Sequence, residues 1–321
     1  MNTITVIRPG LMALIQDTGR FGAQGSGIPV SGCMDQRALA EANALLGNPP
    51  GEAVIEMLYQ GAAFRFDCHT VVALTGADMN ARLNDRSVPA YTALPIRPGD
   101  TLILGAARSG RYGYLGVAGG FALPPVLGSL STYVKCGIGG FQGRALRSGD
   151  VLPLRCETWQ LPCAERKPIM PRAFAQDITV RVVPGPQEDL FSADALRTLF
   201  SVSYRVTDQS DRMGFRLDGP PLSAPDGTDI ISDGTALGSI QVPGSGKPII
   251  LLADRQTTGG YAKIGTVITP DLPKLVQCMP GAVIRFTPVS ARRAQALYRK
   301  EQKQRRLLGQ RSTWEDMYAS D

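Results

Sequence analysis

Short apolar segments separated by turns recur along most of this sequence, and they limit the fold more than any other feature. The chain carries 36 glycines and 24 prolines among 321 residues, without a fixed period, which is typical of tight turns between short strands. We therefore predict a mainly β fold with few helices. The apolar segments include ITVIRP (4–9), TVVALTG (70–76), DTLILG (100–105), ITVRVV (178–183) and PIILLA (248–253).

Three segments predict helices. In DQRALAEANALLGN (35–48), apolar residues share one helical face, Asp35 can cap the N-terminus and Gly47 lies at the C-terminal end. A second helix is predicted within SADALRTLF (192–200), and a third begins at Ser290 and forms a C-terminal tail. From Ala291 onward, eight Lys or Arg and four Asp or Glu carry +4 of the chain's net charge of +6. Because the rest of the chain is nearly neutral, we predict no nucleic-acid partner.

The two halves of the chain share a pattern of strands and turns. Residues 53–78 and 229–254 both follow the order strand, glycine turn, strand, turn, apolar strand and terminal Asp. This pattern predicts two β-barrel domains of related topology. We place an N-terminal β-rich domain at 1–155, a linker at 156–177, a C-terminal β-rich domain at 178–290 and a basic helical tail at 291–321.

The cysteines and the apolar runs indicate the compartment. Six cysteines are scattered without a CxxC pair or a framework spacing, so neither disulfides nor a metal site is predicted. The N-terminal residues lack a secretory pattern, and no apolar run approaches the length of a membrane span. We therefore predict a cytoplasmic protein with reduced thiols and no membrane partner.

Several familiar catalytic motifs are poorly supported. The chain has one histidine, His69, at the start of a predicted buried strand, which argues against a histidine triad or a histidine-rich metal site. GSGKP (244–248) lacks the first glycine and the Ser or Thr of a phosphate loop, so it is better interpreted as a hairpin turn. GGYAKIG (259–265) lacks the βαβ context of a dinucleotide site. No nucleotide site is predicted on this chain.

Charged residues beside glycines are the remaining candidates for a site. QDTGRFG (16–22) and SDRMG (210–214) each place an acid close to an arginine at a glycine turn, and DRQTTGGYAK (254–263) follows an apolar strand. Glycines let the backbone approach a ligand, Arg and Lys hold carboxylate or carbonyl oxygens, and Asp can orient or deprotonate a neighbour. We therefore predict a small-anion site in a shared polar cleft. The candidate catalytic residues are Asp17, Arg20, Lys135, Asp211, Arg212, Asp254, Arg255 and Lys263, and the candidate substrate-binding residues are Asp35, Gln256, Thr257, Gly259, Gly260 and Tyr261.

Structural roles compete with some of these assignments. Asp35 can serve simply as a helix cap. The pairs Asp17 with Arg20 and Asp211 with Arg212 can each tie a turn to its own barrel. The residues alone leave both interpretations open.

Several strings, taken in order, resemble one protein family. They are PGLMALIQDTGRFG (9–22), GIPVSGCMD (27–35), TGAD (75–78), TYVKCGIGGFQGR (132–144), DRMGFRL (211–217) and ADRQTTGGYAKIGTVI (253–268). Together they resemble the biotin-dependent carboxyltransferase family, which includes the KipA proteins, proteins named allophanate hydrolase subunit 2 and the C subunit of bacterial 5-oxoprolinase. The resemblance runs from about residue 4 to residue 290, and it implies a cyclophilin-like fold for the two predicted barrels.

The resemblance also implies a function within a complex. A 5-oxoprolinase opens 5-oxoproline to L-glutamate at the cost of ATP, and the expected partners are a KipI-like (PxpB-like) subunit and a PxpA-like subunit. ATP would be bound by a partner subunit, and biotin is not attached to this chain because no AMKM-type site is present. Two alternatives stay open: the carboxyltransferase subunit of a biotin-dependent, urea carboxylase-like system, and a KipA-type regulator that antagonises a kinase inhibitor.

The roles of the candidate residues within this complex are a hypothesis. Arg20, Arg212, Arg255 and Lys263 would hold a substrate carboxylate or a developing oxyanion. Asp17 and Asp254 would orient them or a water, with assistance from backbone N–H groups near Gly259 and Gly260. The chain alone is expected to be inactive.

Overall fold

The computed structural model describes residues 2–155 and 168–310, and its elements form a mainly β protein. Contacts divide the described residues into two units. The first unit takes them from Met1–Phe21, Ser31–Phe174 and Lys303–Asp321, and the second from Gly22–Val30 and Ala175–Gln302. In the described ranges, no helix is both long and apolar enough to cross a membrane.

The described residues of the first unit form two antiparallel sheets, one complete α-helix and, from Lys303 onward, the end of the last helix. One sheet has the strand order β11-β1-β4-β9-β6-β7, and the other has the order β2-β3-β10-β5-β8. The strands are β1 (Thr3–Arg8), β2 (Ala13–Gln16), β3 (Val54–Leu58), β4 (Ala63–Phe66), β5 (Thr70–Asp78), β6 (Arg82–Leu83), β7 (Arg86–Ser87), β8 (Ala93–Ile96), β9 (Thr101–Ile103), β10 (Ser109–Val117) and β11 (Val151–Pro153), and the helix is α1 (Gln36–Leu46).

The first unit's core lies between buried strand faces. Its apolar cluster takes residues from nearly every long strand of both sheets, including Val6, Ile55, Phe64, Val72 and Leu115. β5 is buried along almost its whole length, which is typical of a strand covered on both faces. α1 covers one face of the sheet, where it contacts β5 and β10.

α1 confirms the helix predicted within residues 35–48. The Asp35 carboxylate accepts hydrogen bonds from the N–H groups of Arg37 (3.1 Å) and Ala38 (3.0 Å), and Gly47 ends the helix with a φ of 70°. The helix lies close to β10, because a Cβ atom at Gly116 would be only 2.8 Å from Cδ1 of Leu46. A larger residue at position 116 would therefore displace the Leu46 side chain and would also come within 3.3 Å of Ala42 Cβ on the same helix.

The second unit contains a closed seven-stranded barrel with the strand order β12-β19-β16-β17-β14-β13-β20. A separate two-stranded sheet pairs β15 with β18. The strands are β12 (Asp177–Pro184), β13 (Ser203–Val206), β14 (Gly214–Asp218), β15 (Asp229–Gly234), β16 (Ser239–Gln241), β17 (Ile249–Leu251), β18 (Thr258–Tyr261), β19 (Lys263–Val267) and β20 (Val283–Pro288), and the helices are α2 (Ala193–Ser201), α3 (Leu272–Val276) and α4 (Ala291–Gln310).

Barrel strands follow the period of two that the sequence shows. In β12, Ile178, Val180 and Val182 are buried, whereas Thr179 and Arg181 between them are not. Inside the barrel the rings of Tyr204 and Phe286 pack at 5.6 Å between centroids. The predicted hairpin turn at 244–248 is confirmed, since it joins β16 to β17 and Gly246 N–H donates to the Pro243 carbonyl (2.8 Å).

The sequence predicted two barrels, and the described residues contain one closed barrel. The proposed correspondence between 53–78 and 229–254 is wrong. β4 and β5 belong to different sheets, whereas their supposed counterparts β16 and β17 pair directly with each other. The reason is that spacing between turns is a local property, while strand pairing depends on contacts between distant residues.

The remaining helix predictions are confirmed where the structure describes them. Ser192 caps α2, with its hydroxyl accepting from Ala195 N–H (3.1 Å), and α4 begins one residue after Ser290. The short helix α3, which carries Pro273 in its first turn, was not predicted. Residues 156–167 of the predicted linker and 311–321 of the predicted tail lie outside the described residues.

Candidate functional site

Asp17 and Arg20 both hold a neighbouring loop. The carboxylate of Asp17, at the end of β2, accepts hydrogen bonds from the N–H of Leu130 (2.6 Å) and from the hydroxyls of Ser129 (2.8 Å) and Ser131. Arg20 is fully buried and donates to the carbonyls of Val126 (2.9 Å) and Ser131 (2.8 Å). Because both Asp17 oxygens already accept from neutral donors, the geometry favours the structural interpretation for this pair.

Asp211 and Arg212 do not pair with each other. Asp211 accepts from the N–H groups of Met213 (2.8 Å) and Gly214 (3.2 Å), which forms a tight turn. The guanidinium of Arg212 instead binds Asp254 through two hydrogen bonds, Nε to Oδ2 at 2.8 Å and Nη2 to Oδ1 at 3.0 Å. The structure therefore joins two of the predicted strings, SDRMG and DRQTTGGYAK, through one buried ion pair.

Arg255 differs from Arg212 in its partners. Its Nε donates to the Thr235 carbonyl (3.1 Å) and its Nη1 to the Leu252 carbonyl (3.3 Å). Neither acceptor carries a charge, and in the described residues no carboxylate forms an ion pair with Arg255. Burial lowers the pKa of this guanidinium. Among the residues that the structure describes, the side chain is thus a partly buried cation without a counter-ion.

Lys263 is buried beside an exposed acid. Its Nζ donates to Asp233 Oδ2 at 2.8 Å, and the exposed fraction is 4% for the lysine side chain and 55% for the aspartate. The backbone N–H of Lys263 donates to Gln187 Oε1 (3.1 Å). Sequence reasoning missed Asp233 and Gln187, although Asp233 precedes a glycine in the same way as the charged residues that were selected.

The other candidates of the DRQTTGGYAK string contribute mainly through their backbone. The carbonyls of Gln256 and Thr257 accept from the side-chain hydroxyl and the N–H of Thr235, respectively. Gly259 is buried, and a Cβ there would be 2.4 Å from Nε2 of Gln241, so a larger residue would displace this side chain. Gly260 and Tyr261 complete β18, and the Tyr261 side chain is exposed.

Asp35 lies in a buried charged cluster of the first unit that the sequence did not reveal. Besides capping α1, it accepts from Arg172 Nη2 at 2.7 Å, and Arg172 Nε lies 3.3 Å from Glu41 Oε2. Burial raises the pKa of Glu41. Burial opposes the charge of Arg172, yet Asp35 and Glu41 raise the pKa of its guanidinium above the ordinary value.

The cluster around Asp35 escaped prediction for two reasons. Glu41 lies within an amphipathic helix, where a polar residue is expected to face solvent, and Arg172 lies in the predicted linker. The neighbouring Ile169 N–H donates to the Tyr91 carbonyl (2.9 Å), so this part of the predicted linker is attached to the first unit. Burial raises the pKa of Tyr91 to about 12.

Lys135 and His69, which the sequence analysis also named, are both exposed. Lys135 is exposed on the short 3₁₀ helix Val134–Cys136, and His69 is exposed directly before β5. The four described cysteines, Cys33, Cys68, Cys136 and Cys278, form no disulfide in the part of the chain that the structure describes. Within 2–155 and 168–310, no group of three or more His, Cys, Asp or Glu could hold a metal ion.

The second unit therefore brings together the largest share of the predicted residues. Arg255 binds the carbonyl of Thr235, and Lys263 binds the side chain of Asp233, so both cations contact the segment 233–235. We call the set Gln187, Asp233, Thr235, Arg255 and Lys263 the 233–235 cluster. In the described part of the chain, Arg255 has no counter-ion and Lys263 has an exposed one, and this suits the cluster to binding a small anion.

Known proteins resemble the chain over most of its length. The profile of the carboxyltransferase domain, subdomains A and B, matches residues 26–288. The C subunit of the 5-oxoprolinase of Haemophilus influenzae is 38% identical over 90% of this chain and 92% of its own, and that of Escherichia coli is 36% identical over 91% and 93%. The crystal structure of the Kluyveromyces lactis urea amidolyase matches with a TM-score of 0.89 at 29% identity, covering 95% of this chain. Only 20% of that longer protein is covered, so the chain spans about a fifth of its length.

Proposed function

The chain belongs to the carboxyltransferase-domain family, and from this premise we propose that it is a subunit of an ATP-dependent 5-oxoprolinase. The observation that supports this function is the similarity to the C subunits of two bacterial 5-oxoprolinases, which extends over more than 90% of those relatives. The urea amidolyases match over a similar share of this chain, yet the matched part is a small fraction of their length. The complex would open 5-oxoproline to L-glutamate.

The chemistry requires partners. The amide of a five-membered lactam is stable at neutral pH, and phosphorylation of its oxygen by ATP would make the ring carbonyl carbon open to attack by water. We place the nucleotide on a partner subunit, because the sequence of this chain carries no phosphate-loop motif. The partners we expect are a KipI-like (PxpB-like) subunit and a PxpA-like subunit, and the cytoplasmic location stays a prediction.

Within this chain we assign substrate contacts to the 233–235 cluster. Arg255 and Lys263 would hold the substrate carboxylate or a developing oxyanion, because such charge-assisted bonds are strong in a partly buried site. Asp254 would act indirectly by fixing Arg212. A cyclophilin-like topology for the barrel, a role for Lys135 and a role for the exposed Tyr261 stay predictions.

A second function is supported by the urea amidolyase similarity. With a TM-score of 0.89, the chain has the fold of a segment of that protein, and a carboxyltransferase working with a biotin carrier is therefore the alternative. This chain would then require a partner that carries biotin, since its own sequence has no attachment motif.

The test is reconstitution with one component omitted at a time. We expect ATP-dependent glutamate formation from 5-oxoproline when this chain is mixed with its KipI-like and PxpA-like partners. No glutamate should form when this chain, either partner or ATP is left out. Full turnover without this chain would refute the proposal, and inhibition by avidin together with urea-dependent ATP hydrolysis would favour the carboxyltransferase alternative.

A further inference from the structure

Asp233 is held in the way that a bound carboxylate is held. Its oxygens accept hydrogen bonds from Lys263 Nζ at 2.8 Å and from the N–H of Gly234 at 2.7 Å. These bonds, the charge of Lys263 and a hydrogen bond with the Gln187 side chain lower the pKa of the Asp233 carboxyl group. The Lys263 donor comes from β19, and Gln187, whose Oε1 accepts from the backbone N–H of Lys263 at 3.1 Å, lies in the segment before α2; both residues are distant from Asp233 in sequence.

The two residues of this ion pair, Lys263 and Asp233, differ in burial and in the strand that carries them. The Lys263 side chain is buried and belongs to a barrel strand, whereas Asp233 is half exposed and belongs to β15. Nearly every residue of β15 is exposed, and Ile231 is 95% exposed. β15 lies in the two-stranded sheet with β18, apart from the barrel's own hydrogen-bonded strands. Displacing Asp233 therefore costs little packing, while leaving Lys263 without an anion would be expensive.

Unused hydrogen-bonding capacity lies at the same place. An ammonium group has three N–H donors, and within the described residues the Lys263 Nζ uses one of them, on Asp233. Arg255 contacts the same segment two residues further on, at the Thr235 carbonyl. Two residues of extended chain span about 7 Å. The two cations are therefore anchored a short distance apart, and neither has a buried carboxylate as partner.

We propose that Lys263 and Gln187 form a binding site for the carboxylate of a small organic acid, and that Asp233 occupies this site until the ligand displaces it. Arg255 supplies the uncompensated positive charge that attracts the incoming anion. The inference rests on the proposed function, in which the ligand is 5-oxoproline and the group recognised is its carboxylate. The lactam ring itself need not contact Lys263.

This arrangement makes Asp233 an internal competitor. Asp233→Asn keeps the size of the side chain and removes its charge, so a ligand carboxylate would no longer compete with a local anion for Lys263. We expect the affinity of the isolated chain for 5-oxoproline, measured by isothermal titration calorimetry, to rise at least about fivefold. Lys263→Met should abolish this binding.

Two controls separate the inference from a general charge effect. Asp218→Asn removes an equally exposed carboxylate that pairs with Lys247 in the same unit, and it should leave the affinity for 5-oxoproline unchanged. The second control is 2-pyrrolidinone, which has the same lactam ring but no carboxylate. Its binding should not respond to Asp233→Asn.

The inference is overturned if Asp233→Asn leaves the affinity for 5-oxoproline unchanged or weaker while its melting temperature matches the wild type. It is also overturned if neither form of the isolated chain binds 5-oxoproline, or if 2-pyrrolidinone responds in the same way. Lys263→Met removes a buried charged group and can impair folding. The test is therefore decided by the Asp233→Asn variant, because the Asp233 side chain is exposed. The reconstituted assay stays separate: glutamate formation that requires this chain would uphold the proposed function even if this site failed.

Discussion

The buried pair of Arg212 and Asp254 gives the sharpest test of which predicted residues are structural. Arg212 is 5% exposed and Asp254 is 9% exposed, and two charge-assisted hydrogen bonds of 2.8 and 3.0 Å join them. Asp254→Asn would remove the carboxylate charge from this buried ion pair, which typically costs about 3–5 kcal/mol of unfolding free energy. At roughly 1.5–2 °C per kcal/mol for 321 residues, from about 2.1 cal/mol/K of unfolding entropy per residue, the melting temperature should fall by about 5–10 °C.

Differential scanning calorimetry would measure this change, and hydrogen exchange of β14 and β17 would localise it, because these strands flank the pair. The control is the double variant Arg212→Met with Asp254→Leu, which removes both charges and should recover most of the loss. A melting temperature for Asp254→Asn within about 1 °C of the wild type would refute a structural role for the ion pair.

Three further outcomes are expected. Arg255→Ala should lower the unfolding free energy by no more than about 1 kcal/mol. It should reduce reconstituted turnover at least about tenfold, equivalent to ~1.4 kcal/mol of transition-state stabilisation. Full activity in a folded variant would contradict the assignment of Arg255 to the site. Asp17→Ala should leave the donors of Ser129 and Leu130 unsatisfied and cost ~3 kcal/mol or more, while turnover per folded molecule stays normal; lost turnover in a folded variant would indicate catalysis. Burial alone would raise the pKa of the Asp271 carboxyl group, but hydrogen bonds from Arg181 outweigh burial and lower it. The ionised Asp271 therefore stabilises the fold above the unfolded pKa near 4, and this stabilisation is lost as the pH falls through the lower folded pKa. Melting curves of Asp271→Asn between pH 3 and 7 should therefore fall less steeply on the acid side than those of the wild type, and identical slopes would rule this pair out.

Local features of the chain were predictable from its sequence. The alternation within β12, the caps of α1 and α2 and the turn between β16 and β17 each depend on residues within a few positions of one another. Such signals act through backbone geometry and nearby hydrogen bonds, and they persist in the folded chain.

Pairings between distant residues were not predictable. Arg212 follows Asp211 directly, yet the Asp211 carboxylate accepts hydrogen bonds within its own turn, whereas the Arg212 guanidinium binds Asp254, which lies 42 residues further along the chain. The proposed internal repeat failed for a related reason, because similar turn spacing led to different strand partners. Arg172 was overlooked because a segment rich in proline and polar residues gave no indication of a buried partner at Asp35.

The strand order of the barrel has a consequence for how the second unit forms. β20, the last strand in sequence, lies between β12 and β13, and its parallel pairing with β12 sets Asp177 opposite Val283. Contacts of such large sequence separation slow folding. Until residues 283–288 have been synthesised, β12 and β13 are both open edges that can pair with another chain. We therefore expect a nascent chain halted before β20 to aggregate more readily than the folded chain.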